Sequence, residues 1–199
     1  MRSTRPSTSK ARITARTGGD AVPRLIGALA MMGLAGTAVA VESIGIEAGT
    51  GDHVNVVGVD VGFGEWRRGS FGGGWSWSLY GKLGVAQWEG RDDGTAHKHV
   101  TDFSAYPVLR LDRDVAATCS PYLEAAIGAH LLSRTRINDR QLSTAFQFGE
   151  FAGAGCTFGE TRQFDLGVRL QHVSNGGIKE PNCGLTYVSI AFRYRFGGR

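Results

Sequence analysis

The chain has 199 residues, 30 of them glycine, with 42% apolar side chains and a formal net charge of +4. That length suits one domain or a small barrel and excludes two ordinary domains. The first 40 residues hold six of the 22 Lys and Arg and only Asp20 of the 18 acids, leaving 16 basic against 17 acidic side chains, about −1. Without that leader the basic excess vanishes, and with it the case for a nucleic-acid partner.

Arg2, Arg5, Lys10, Arg12, Arg16 and Arg24 precede an apolar run from Leu25 to Ala40 that closes on Ala-Val-Ala. A basic segment, an apolar segment and small residues before a cut make up a secretory signal. Residues 1–40 are therefore expected to be a signal peptide cleaved after Ala40, and 41–199 the exported domain. As an anchor helix the run would be short and weakly apolar, and no later stretch approaches the ~20 apolar residues of a membrane span. Cys119, Cys156 and Cys183 form an odd set with neither CxxC nor metal-like spacing. Cys119 and Cys156 fall near the periplasmic ends of adjacent predicted strands, where a bond between them is open, and Cys183 lies in an outer loop.

From Val41 onward the chain reads as strands punctuated by Gly, Asp, Asn or Arg clusters. Eight are predicted, over 43–51, 54–64, 74–88, 99–111, 119–134, 144–158, 163–175 and 185–196. Most exceed the ~5–6 residues usual in soluble proteins, and several reach the ~9–11 that cross a bilayer at a tilt. In the second strand Val57, Val59, Val61 and Phe63 oppose Gly58, Asp60 and Gly62. The fifth sets Leu123, Ala125, Ile127, Ala129 and Leu131 against Tyr122, Glu124, Gly128 and His130. The last sets Val188, Ile190, Phe192, Tyr194 and Phe196 against Ser189, Ala191, Arg193 and Arg195.

One apolar and one polar face is the lipid-out, polar-in pattern of an all-β, eight-stranded antiparallel transmembrane barrel. A soluble lipocalin-like barrel would carry the same alternation inverted. The export signal and aromatic residues near strand ends (Trp66, Trp75, Trp77, Trp88, Tyr187, Tyr194), read as interfacial girdles, favour the membrane form. With both termini periplasmic, loops near 89–98, 134–143 and 175–184 face outward. Turns near 65–73, 112–118 and 159–162 face the periplasm. Arg193 and Arg195 are expected to pair in the lumen with Asp60, Glu124 or Asp165.

In strand seven, His172 and Ser174 share the apolar face with Phe164, Leu166, Val168 and Leu170. Neighbours at i and i+2 on one face bring an imidazole beside a hydroxyl, and a serine needs such a base to become nucleophilic. A hairpin centred near Thr161 opposes residues whose numbers sum to about 322, which pairs Glu150 with His172 on that same outward face. A lone His-x-Ser is common, but a glutamate on an oily face is costly and points to function. The amides of Asn175 and Gly177, in a turn where Gly176 permits unusual backbone angles, are candidate oxyanion donors, although Asn-Gly-Gly is also simply a good turn. His97 and His99 have ligand-like spacing without a third partner and read as a solvated outer loop.

The stretch HVSNGGIKEPNCG, His172 to Gly184, resembles the signature of the lipid A 3-O-deacylase (PagL-type) family, close to H-x-S-N-x-G-[IL]-x-x-P-N-x-G. It matches at His172, Ser174, Asn175, Gly177, Ile178, Pro181, Asn182 and Gly184. The resemblance implies an outer-membrane serine esterase that hydrolyses the 3-O-linked acyl chain of lipid A. It makes Ser174 the nucleophile, His172 the base, Asn175 and Gly177 the oxyanion hole and Asn182 a supporting residue. There is one departure: the best-known member carries its triad glutamate two residues past the final glycine, where this chain has Thr186. The acid is then Glu150, or the enzyme works as a dyad; Glu180 reads as solvated loop charge. No metal or organic cofactor is called for, and the partners implied are lipopolysaccharide and the outer membrane. A homodimer is left open, as is the alternative of a non-enzymatic structural or adhesion barrel.

Overall fold

The computed structural model describes residues 40–94, 96–115 and 117–196, so the predicted leader lies outside the described residues save for Ala40. The chain forms β1 (Val41–Gly51), β2 (Val54–Gly72), β3 (Trp75–Gly90), β4 (His99–Arg113) and β5 (Ser120–Leu132). A small hairpin follows, β6 (Arg136–Ile137) and β7 (Arg140–Gln141), and then β8 (Phe146–Phe158), β9 (Phe164–Ser174) and β10 (Leu185–Arg195). The eight long strands close in the order β1-β10-β9-β8-β5-β4-β3-β2, each antiparallel to its neighbours. Closure leaves no unpaired edge, which a sheet bathed in lipid requires.

The alternation holds. Val57, Leu123, Ile127, Leu131, Leu166, Val168, Leu170, Val188 and Ile190 point outward and exposed, while Asp60, Glu124, His130, Arg169 and Arg193 are buried inside. Because the apolar set faces out and the charges face in, the barrel is built for lipid and not as a soluble apolar-lined carrier. Arg169 bridges Glu124 at 2.7 Å and Glu47 at 2.8 Å. Arg110 reaches Asp165 at 3.1 Å and Asp112 at 2.9 Å. Arg193 lies 3.9 Å from Asp60 and 3.6 Å from Glu124, and Arg195 lies 2.8 Å from Asp165. These charges survive burial because each finds opposite partners across the narrow lumen.

Three elements differ from expectation. The segment 65–72, predicted as a turn for its charges, continues β2 and pairs with Trp75–Tyr80 through register shifts at Phe63/Glu65, Glu65/Arg67 and Ser70/Gly72. Bulges absorb the irregular pattern, and the chain reverses at Gly72–Gly74, all three at positive φ. Trp88 and Tyr187 are not girdle residues: they are buried, edge to face at 6.4 Å, inside the outer end of the barrel. With Val54, Val56, Val100, Leu132, Ile137, Leu142, Val173 and Leu185 they form an apolar plug. The outer loop after β5 also carries the β6–β7 hairpin, whose Ile137 completes that plug. Near the periplasmic end Cys119 and Cys156 are disulfide-bonded, and Cys183 is free and exposed.

Candidate active site

β9 ends at Ser174, at the outer rim, and its alternation puts His172 and Ser174 on the lipid side, each half-buried. The neighbouring strands supply the flanks. Glu150 of β8 stands directly opposite His172, and Phe148 opposite Ser174. On the other side Thr186 of β10 is opposite His172. The hairpin register derived from the β8–β9 turn therefore holds to the residue.

The imidazole Nδ1 lies 2.8 Å from the Thr186 hydroxyl oxygen. Its other edge rests on Gly184: a Cβ there would lie 2.9 Å from His172 Cε1, 3.3 Å from Nε2 and 3.5 Å from Ser174 Cβ. The Nε2 edge and the serine Cβ thus flank one bare α-carbon, and Gly184 holds φ +53, a left-handed backbone that glycine adopts without strain. Glu150 is exposed and lines the same outer-wall groove as His172. That groove, about 590 Å³, runs from Leu79, Pro107 and Leu109 past Ala125 and Ile127 to Glu150 and His172. Its small residues make the depression, and its far end is apolar.

The loop 175–184 is held from within. Asn175 is fully buried, and its side-chain amide donates to the carbonyls of Leu142 at 3.0 Å and Lys179 at 2.7 Å. The Gly177 N–H donates to Asn175 Oδ1 at 2.9 Å, an Asx turn at φ +63 for Gly176 and +81 for Gly177. The Asn175 N–H donates to Asn182 Oδ1 at 3.0 Å. Both expected oxyanion amides therefore already serve side-chain oxygens of the loop, and an oxyanion would reach them by sharing or replacing those bonds. Asn182 touches the first of them directly.

Two features of the site have no signal in the sequence. Position 186 carries no acid, yet the Thr186 hydroxyl meets the ring nitrogen that an acid would meet. The motif marks Gly184 only by its position, yet its bare α-carbon lies beside both the His172 ring and the Ser174 Cβ. Among the described residues no group of three or more His, Cys, Asp or Glu gathers as a metal set, and the His97 carbonyl accepts a bond from the Asn138 N–H at 2.8 Å.

A family model described as Lipid A 3-O-deacylase (PagL) matches residues 56–195. The chain is 35% identical over 154 residues to the lipid A deacylase PagL of Bordetella bronchiseptica, covering 77% of this chain and 83% of that protein. It is 35% identical over 114 residues to the lipid A deacylase PagL of Pseudomonas aeruginosa, covering 57% of this chain and 62% of that one. Among solved structures, the crystal structure of the outer membrane enzyme PagL shares the fold with a TM-score of 0.67 at 22% identity, over 77% of this chain and 99% of that one.

Proposed function

The chain belongs to the lipid A 3-O-deacylase family, and from that premise we propose that Ser174, His172, Thr186 and Glu150 carry out the hydrolysis on the lipid-facing wall of the barrel. The protein is an outer-membrane ester hydrolase acting on lipid A. One observation supports the residue assignment: the imidazole has Nδ1 at the Thr186 hydroxyl, while its Nε2 edge and the Ser174 Cβ both flank the bare α-carbon of Gly184.

To accept the serine proton Nε2 must be bare, so the ring proton sits on Nδ1 and is donated to Thr186 Oγ1. Ser174 Oγ then attacks the acyl carbonyl, its proton passing to Nε2. The tetrahedral oxyanion takes the Asn175 and Gly177 amides, with Asn182 Oδ1 giving way at the first. The protonated imidazole returns its proton to the leaving sugar hydroxyl, and water then releases the acyl-enzyme by the same steps.

The acid's work is divided. Thr186 fixes the ring, but a neutral hydroxyl stabilises an imidazolium less than a carboxylate does. Glu150, directly opposite, supplies the negative charge. The groove receives the acyl chain, and the outer-leaflet position lets the site meet its ester without lifting the lipid from the membrane. We further propose that residues 1–40 are the export signal and that the mature chain starts at Val41, which N-terminal sequencing of the outer-membrane form tests.

Mass spectrometry of lipid A from cells making the wild type or Ser174→Ala tests the mechanism. Wild type should remove one 3-O-acyl chain and the variant none. A Ser174→Ala barrel that is inserted and still removes the chain would refute the serine mechanism.

A further inference from the structure

The turn between β1 and β2 brings a carboxylate to the catalytic strand from the far side of the chain. Asp52 and His53 both have positive φ, +43 and +62, the two-residue hairpin geometry that Asp tolerates by virtue of its short polar side chain. The β1–β10 ladder pairs Thr50 with Val188, and beyond it β1 turns away, so the next amides of β10 lose their backbone acceptor. Asp52 replaces it: its Oδ2 accepts the Thr186 N–H at 2.7 Å. Gly51 makes this approach feasible, since a Cβ there would lie 2.5 Å from the Tyr187 α-carbon.

The other carboxylate oxygen faces Arg140, 3.3 Å from Nη2. Arg140 in turn donates through Nη1 to the carbonyls of Cys183 at 3.3 Å and Gly184 at 3.2 Å. One carboxylate thus grips two residues beside the base: Thr186 directly, and Gly184 through Arg140. Nearby bonds fasten the pieces from which the grip is made. His53 Nδ1 lies 2.8 Å from Asp92, the Asn138 side chain donates to the His53 carbonyl at 2.9 Å, and Ser143 donates to the Pro181 carbonyl at 2.7 Å.

We infer that Asp52, with Arg140, is a positioning residue for catalysis, setting the Thr186 hydroxyl on His172 Nδ1 and the Gly184 backbone beneath His172 and Ser174. The inference rests on the assignment of His172 and Ser174 made above. Neither Asp52 nor Arg140 touches the reacting atoms. Their effect is on how often the base and nucleophile are aligned, and a misplacement on the order of 1 Å costs roughly a hundredfold in rate.

The test uses the full barrel in detergent and lipid A mixed micelles, with kcat expressed per folded barrel counted by heat-modifiable migration. Asp52→Ala should lower kcat by about ten- to a hundredfold with KM little changed. Asp52→Asn, which keeps an acceptor for the Thr186 N–H, should fall between it and wild type. Arg140→Met should also lower kcat, and the double variant Asp52→Ala/Arg140→Met should be no slower than the slower single, because both act through one clamp. Should Asp52→Ala fail to insert, Asp52→Asn and Arg140→Met carry the same test. Wild-type kcat per folded barrel in these variants, with Ser174→Ala inactive, overturns the positioning role and leaves the serine mechanism standing. Additive losses in the double variant overturn the shared clamp. An active Ser174→Ala refutes the mechanism on which the inference rests.

Discussion

His130 and His172 face opposite sides of the same barrel wall, and the inner one looks more like part of a catalytic triad than the outer one does. His130 is 1% exposed, with Nδ1 at 2.8 and 2.7 Å from the two oxygens of Asp102 and Nε2 bonded to the Tyr106 hydroxyl. Gln171 adds a bond of 2.8 Å to the same hydroxyl. His172 has only a threonine on Nδ1, and its Nε2 rests against bare backbone beside a serine. The inner group is saturated and sealed beneath the apolar plug, so no ester reaches it and no nitrogen is spare. The outer group keeps a nitrogen, a hydroxyl and access to lipid. On the proposed assignment, reserve bonding capacity at an accessible surface distinguishes the reactive histidine, and completeness of the hydrogen-bond set distinguishes the structural one.

The largest expected effect that would break this contrast lies inside. Asp102→Ala leaves the buried His130 Nδ1 without its partner in the lumen, and an unsatisfied buried group costs roughly 1–3 kcal/mol, to which the cavity left by the lost carboxylate adds. Urea unfolding followed by heat-modifiable migration should show that loss, while kcat per folded barrel stays near wild type. A large fall in kcat with unchanged stability would instead make the inner group part of the reaction.

A smaller effect is expected at the seat of the outer group. Gly184→Ala places a methyl 2.9 Å from His172 Cε1 and 3.5 Å from Ser174 Cβ, on a backbone at φ +53. The ring must shift, and a displaced base costs roughly a hundredfold in kcat. The barrel should form normally, since β9 and β10 remain paired below the loop. Unchanged kcat in the folded variant would show that the Gly184 contact does not set the alignment of base and nucleophile.

How much of this was readable in the sequence depends on how local the cause is. The β8–β9 register needs one short turn and a strict period of two, so Glu150 opposite His172 followed from counting, as did the outward face of Ser174. The 65–72 arm was missed because Glu65, Arg67 and Arg68 mimic a turn, whereas bulges let charged residues extend a strand beyond the membrane zone. Trp88 and Tyr187 were misplaced because an aromatic near a strand end suggests a girdle. Parity argued otherwise: Tyr187 shares the inward face of Ser189 and Arg193. Asp52 lies 134 residues from Thr186 and meets it only because the first and last strands close the barrel, a contact that no local pattern announces.

The mildest prediction separates the two halves of the acid's role and so sharpens what the outer histidine lacks. Thr186→Val removes the hydroxyl that meets Nδ1 and leaves Glu150 in place. Glu150→Gln keeps size and polarity at the position opposite His172 and removes the charge. If orientation and charge are divided between them, each variant lowers kcat by about tenfold without unfolding the barrel. Thr186→Glu should then restore activity in the Glu150→Gln background, because a carboxylate at position 186 can perform both tasks at Nδ1. Full activity in Glu150→Gln would remove the carboxylate from the mechanism and leave a Ser174–His172 pair oriented by threonine alone. Single-turnover rates on lipid A in micelles, measured for the two single variants and the double, distinguish these outcomes, since a divided acid predicts rescue and a pure dyad predicts none.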